Sequence, residues 1–248
     1  MPNERGIKRD KELDVESRLE AWGASKPARE VSSPLRERIE RKLAASLNPV
    51  KTLPSARWLA LGFLAIFVVG AAICVQATDN YGLRLMNAGQ IAAMTTIFAA
   101  GAIGFSVALA QRMIPGARAL ISPGHLLLLS GIVLAAGIAW AFPWSATGAF
   151  LSEGWPCSAM EAEIAIPAAV LFWFVARRGA PFIGPGFGAA VGALAGLLAM
   201  TVQQFQCMFQ RAPHLLIWHA GAAAALTGLG ALSGAVARQF ESRKGGSR

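Results

Sequence analysis

Six apolar runs of about twenty residues dominate this chain, and each is long enough for a helix to cross the hydrocarbon layer of a bilayer. No water is available there to satisfy backbone N–H and C=O groups, so a crossing segment must be a helix or part of a closed barrel. The ten-residue alternation of a barrel strand is absent from the sequence. The runs lie at roughly Trp58 to Ala77, Ala88 to Ala110, Leu120 to Phe142, Ala159 to Ala176, Ile183 to Phe205 and His214 to Ala237. The fourth is short and has a polar start. Breakers fall in the gaps: Pro115-Gly116, Pro143, Gly179 with Pro181, and Pro213. The expected fold is an all-α membrane protein, a six-transmembrane-helix bundle over residues 57–238. A short, partly disordered N-terminal tail (1–56) precedes it and a basic tail (239–248) follows.

Charge divides the chain in the same way. Only 15% of its residues are charged, against about 25% in soluble domains. The first 57 residues nevertheless hold 13 of the 23 Lys and Arg and 9 of the 14 Asp and Glu. The tail, the loop with Arg112 and Arg118, the loop with Arg177 and Arg178, and the C-terminus carry 21 basic residues on one side. Arg84 and Arg211 alone fall on the other. The positive-inside rule then puts both termini in the cytoplasm of a bacterial inner-membrane protein. This placement accounts for the net charge of +9 without a nucleic-acid partner. No secretory signal peptide is expected, because the first 20 residues lack an apolar core.

Within the body, Gly184, Gly188, Gly192 and Gly196 share one face of the fifth span, and Gly230 and Gly234 repeat the pattern in the sixth. Small residues let helices approach closely. Packing within the bundle is the main expectation, and a homodimer face is the alternative. Ionisable residues are sparse: His125, Glu161, Glu163, His214 and His219, all placed near an interface by the span boundaries. No charge is expected at mid-membrane, which argues against an ion-coupled carrier. A channel or transporter for small neutral solutes stays open. No Walker A loop, HExxH or GxSxG occurs, so nothing points to an enzyme or to a cofactor.

Cys157, in the loop before the fourth span, and Cys207, just past the fifth, fall on the side opposite the basic residues, near Cys74. That side is the oxidising periplasm, where disulfides persist. A stapling disulfide, a redox- or metal-sensing pair, and two unrelated apolar cysteines all fit these positions. No metal site is assigned. His214 and His219 are five residues apart, which is not a same-face spacing on an α-helix.

The tail contains two short amphipathic segments. Val15, Leu19 and Trp22 form the first. In the second, Ser33 caps, Pro34 suits the first turn, and Leu35, Ile39 and Leu43 form a stripe among charged residues. Helices this short are marginal alone, so the stripe calls for a partner, either a protein groove or the lipid bilayer surface.

The second half reads Trp155-Pro156-Cys157, Ile166-Pro167, Arg177-Arg178-Gly179-Ala180-Pro181, the glycine-rich span, Cys207, then Leu216-Ile217-Trp218-His219. With Leu47-Asn48-Pro49-Val50-Lys51-Thr52-Leu53-Pro54 before the first span, this ordered set resembles the NrsF-type family. These are bacterial six-helix membrane proteins named for a negative regulator of an extracytoplasmic-function sigma factor. The resemblance covers roughly residues 30 to 240. It implies an anti-sigma factor whose cytoplasmic tail sequesters the sigma factor until a periplasmic signal releases it. It also implies that the paired cysteines, here Cys157 and Cys207, are the functional residues. Cys74 has no counterpart in that pattern.

The basic asymmetry has a direct check. Alkaline phosphatase fused after Cys157 is expected to be active, and the same enzyme fused after Arg178 inactive. The reverse pattern would overturn the topology.

Overall fold

The computed structural model describes residues 33–46, 54–114, 122–145, 148–180 and 183–245. The chain divides into two units, Met1–Thr52 and Leu53–Arg248. In the first, helix α1 (Ser33–Ser46) carries the charged segment of the tail. Arg36 pairs with Glu40 at 2.9 Å and Arg41 with Glu37 at 3.9 Å, both one turn apart and exposed. Such pairs add only tenths of a kcal/mol each, about 0.3–0.5. Ile39 is 46% exposed on this helix. The side chains of Leu35 and Leu43, and the segment with Val15, Leu19 and Trp22, lie outside the described residues.

The second unit runs α2 (Ala56–Gln76), α3 (Tyr81–Leu85), α4 (Ala88–Arg112), α5 (Pro123–Ala141), α6 (Phe150–Arg177), α7 (Pro185–Gln206) and α8 (Ala212–His214). A π-helical turn (Leu215–Ala220) and α9 (Gly221–Gly245) complete it. There is no strand among the described residues. Among the described residues, six helical stretches are long and apolar enough to span a membrane. The protein is thus an all-α, multi-pass membrane protein. Wide apolar surfaces on the outer helices fit this environment: Val69, Ile73, Leu128, Ile132, Val170, Phe174, Leu229 and Leu232 are all exposed. A soluble protein rarely exposes apolar belts of that extent.

Most spans start and stop within a few residues of the sequence expectation. The fourth does not. It begins at Phe150 rather than Ala159, so Trp155, Pro156 and Cys157 are helical and Cys157 is not in a loop. Hydropathy misjudged this because Ser152, Glu153 and Ser158 lower it locally. At 28 residues, α6 is about 42 Å long, more than the roughly 30 Å hydrocarbon layer. Its polar first turns need not be apolar. Pro156 and Pro167 lie inside it. The sixth span likewise runs on as helix beyond Ala237, through Arg238 and Arg243.

At the centre lies α7. Every residue from Phe187 to Gln204 is buried, and α2, α4, α5, α6 and α9 all pack on it. A helix wrapped on all sides needs small residues, and α7 is rich in Gly and Ala. Its glycine face meets α9 backbone to backbone. A Cβ on Gly192 would lie 2.5 Å from the Leu226 carbonyl oxygen, and one on Gly196 would lie 3.1 Å from the Ala223 Cα. Gly188 faces Gly230 and Gly234 in the same way. The face that sequence offered as a dimer surface is filled by the chain's own last helix.

This contact predicts a sharp mutational contrast. Gly192→Val forces branched carbon into backbone and is expected to cost about 1–3 kcal/mol or more. Gly228, beside which a Cβ meets nothing within 4 Å, should accept alanine without loss. Thermal unfolding of both variants in detergent checks this. Equal midpoints would refute the packing role of Gly192.

Candidate thiol–histidine site

Two helix ends and one irregular turn build the site. On α6, Cys157 and Glu161 lie one turn apart on the same face. Cys207 ends α7: its N–H bonds the Gln203 carbonyl at 2.8 Å, and its backbone is extended (φ −64°, ψ 128°). The chain leaves the helix there. The Phe209 N–H then donates to the Cys207 sulfur at 3.4 Å. After Arg211 the chain re-enters helix, anchored by the Ala212 N–H on the Pro143 carbonyl at 3.0 Å.

The π-turn corrects one sequence inference. On a regular α-helix, residues five apart point in different directions. A π-turn bonds i to i+5, as the Gly221 N–H does here with the Leu216 carbonyl. This widened turn brings His219 back over His214. Their rings are 5.4 Å apart between centroids, and both are buried.

The thiols come to the same place. The Cys157 and Cys207 sulfurs are 3.8 Å apart, as free thiols. The Cys207 sulfur is 3.5 Å from His214 Nε2. One ligand atom from each of Cys157, Cys207, His214 and His219 lies within 4.8 Å of the others. Cys74, on α2, is not part of this group. The neighbouring Cys157 sulfur, and then burial, push the Cys207 thiol up from its ordinary range.

Neighbouring contacts hold the π-turn in place. The Ser158 hydroxyl donates to the Trp218 carbonyl at 2.8 Å. Phe150 lies 5.7 Å from the Trp218 ring. Gly154 leaves room for that indole, which would overlap any side chain there. Phe150, Gly154 and Ser158 recur every four residues, so one stripe of α6 grips Trp218 while the next presents Cys157. The Gln210 side chain donates to the Cys207 carbonyl at 2.7 Å and accepts from Gln204 at 2.7 Å. Gln206 donates to Thr78 at 2.6 Å. Both cysteines form part of the wall of a cleft of about 850 Å³, together with Asp79, Glu153, Met160 and Met208.

Sequence reasoning missed three parts of this site. Glu161 is fully buried within the protein, whereas Glu163 is exposed. The buried glutamines Gln203 and Gln204 went unremarked, and the histidines were judged separately. The available signal was joint: polar residues inside apolar spans are expensive, and these cluster where the fifth and sixth spans meet. His125 stands apart at the start of α5, beside its capping Ser122.

Comparison with curated proteins and with solved structures gives no match. A protein-family model does match, over residues 43–238, from the last residues of α1 through the sixth span. That match takes in all six spans and all four residues of the thiol–histidine group, so the chain belongs to the NrsF family, described as negative regulator of sigma F.

Proposed function

We propose that this anti-sigma factor sits in the bacterial inner membrane with both termini in the cytoplasm. It holds an extracytoplasmic-function sigma factor through its N-terminal tail, and a thiol-directed signal reaching Cys157 and Cys207 from the periplasm releases that factor. The observation that carries this reading is the pair of adjacent sulfurs, 3.8 Å apart on different helices, in the wall of a cleft. The 21-to-2 distribution of basic residues supports the orientation.

The physical step is local. Cys157 belongs to α6, and Cys207 to the junction that leads into the last span. Joining, separating or loading the two sulfurs alters how α6 packs on that junction. Oxidation would form one S–S bond, release two protons and pass two electrons to the oxidant. A metal would instead bridge both sulfurs. The bundle then needs two arrangements with different affinity for the partner, because a ligand that does not discriminate between states shifts nothing.

The tail supplies the binding surface in this reading. Ile39 is exposed on a charged helix, and with Leu35 and Leu43 it forms the stripe that enters a groove on the sigma factor. The family match begins at residue 43, so Leu35 and Ile39 lie ahead of it. Transport is the weaker reading, since the centre of the bundle holds the packed helix α7.

Two outcomes follow. A reporter driven by the partner sigma factor should become locked in one state by Cys157→Ser and by Cys207→Ser, while Cys74→Ser responds to thiol-reactive stress as the parent does. Wild-type behaviour of both loss-of-thiol variants would remove the cysteines from sensing. Separately, the full-length protein captured from detergent extracts should bring down a sigma factor, and Leu35→Asp with Ile39→Asp should lose it. Undiminished capture by the double variant would rule out the stripe.

A further inference from the structure

We infer that Cys157, Cys207, His214 and His219 form a tetrahedral site for one thiophilic divalent cation of the zinc class. This deepens the proposed signal input and rests on it for its biological role, while metal binding follows from the geometry of the four side chains. Zinc-class ions bind thiolate sulfur at about 2.3 Å and imidazole nitrogen at about 2.0 Å. A regular tetrahedron with those bonds has sulfur–sulfur edges of about 3.8 Å and sulfur–nitrogen edges of about 3.5 Å. The two distances found here are 3.8 Å for Cys157 to Cys207 and 3.5 Å for Cys207 to His214.

A disulfide or a bare thiol sensor leaves the histidines unexplained. His219 is fully buried and neither ring nitrogen has a hydrogen-bond partner among the described residues; His214 Nδ1 has none either. Buried polar groups are rarely left in this state, because each costs about 1–3 kcal/mol. A cation would use one nitrogen of each ring. The π-turn has the same explanation: π-bulges recur at functional sites, and this one is what brings two imidazoles together beside two thiols.

Charge and access also fit. Each thiol gives up its proton as its sulfur–metal bond forms. Two thiolates, two neutral imidazoles and a divalent cation sum to zero, which lowers the penalty of burial. Soft sulfur ligands in an S₂N₂ tetrahedron select zinc-class ions over magnesium or calcium. Asp79, Glu153, Met160 and Met208 are among the residues lining the cleft that reaches the cysteines. Acidic walls concentrate cations.

The test uses the reduced, metal-free, full-length protein in detergent, titrated with Cd²⁺ and followed by cadmium–thiolate charge-transfer absorption. The band is expected to saturate at one Cd²⁺ per chain and to be displaced by Zn²⁺. His214→Gln and His219→Gln should each weaken binding at least tenfold while keeping the band, and Cys157→Ser should remove most of it. No band in the wild type, or histidine variants that bind as tightly as wild type, would overturn the site. Co²⁺ loaded into the wild type gives a reading independent of any variant. Intense visible ligand-field bands with a thiolate charge-transfer band support four-coordinate S₂N₂ binding, and weak octahedral bands refute it. If thiol stress still acts through the cysteines but no metal binds, the metal site falls and thiol sensing stands. If metal binds and the reporter ignores it, the site stands as structural and the proposed metal signal falls.

Discussion

The close approach of two helix backbones, α7 against α9, is the contact on which the rest of the bundle depends. Between helices in lipid there is little hydrophobic drive, since acyl chains are as apolar as leucine. Attraction must come from packing, and packing is tightest where side chains are missing. Gly188, Gly192 and Gly196 on one helix, with Gly230 and Gly234 on the other, provide that. With α9 seated, α2, α4, α5 and α6 can close around α7. The short connection from α7 to α9 is also confined, and it carries Cys207, His214 and His219.

Polar groups then fasten the end of the bundle that carries the thiols. Gln204, Gln206 and Gln210 tie α7 to its own following loop and to Thr78 at the end of α2. Gln90 reaches the Ala141 carbonyl at 2.8 Å. Gly82 passes so close beneath this loop that a Cβ there would lie 2.7 Å from the Cys207 carbonyl oxygen. These bonds fix the backbone around the thiols. The side chains of the thiol–histidine group, by contrast, gather within 4.8 Å of one another, and His214 Nδ1 and both His219 nitrogens have no hydrogen-bond partner among the described residues.

Which parts were legible from sequence follows from what hydropathy measures. Trp58 to Ala77 or Ala88 to Ala110 cannot avoid being helices, because lipid forbids alternatives. The start of α6 was illegible for the complementary reason: beyond the hydrocarbon layer a helix has no need to be apolar, and Ser152, Glu153 and Ser158 read as loop. The histidine pair was hidden by a hydrogen-bond pattern. Spacing of five implies divergence on an α-helix and convergence on a π-turn, and nothing in Leu215–Ala220 announces which one forms. The cysteines were singled out by residue type and side of the membrane, but their closeness depends on α6 beginning early enough to make Cys157 helical.

The two prolines of α6 have a mechanical consequence. Proline has no N–H, so the carbonyls of Ser152 and Glu163 lack their ordinary intrahelical donors at Pro156 and Pro167. The helix bends more easily at both points. The stretch between them, with Cys157 and Glu161, is a short rod articulated at each end. Below Pro167, Phe172 and Ala176 are locked in the core. Cys157, Glu161 and Ala165 are buried as well, so both halves of α6 are packed, and Pro167 marks the point between them where a change of angle costs least backbone hydrogen bonding.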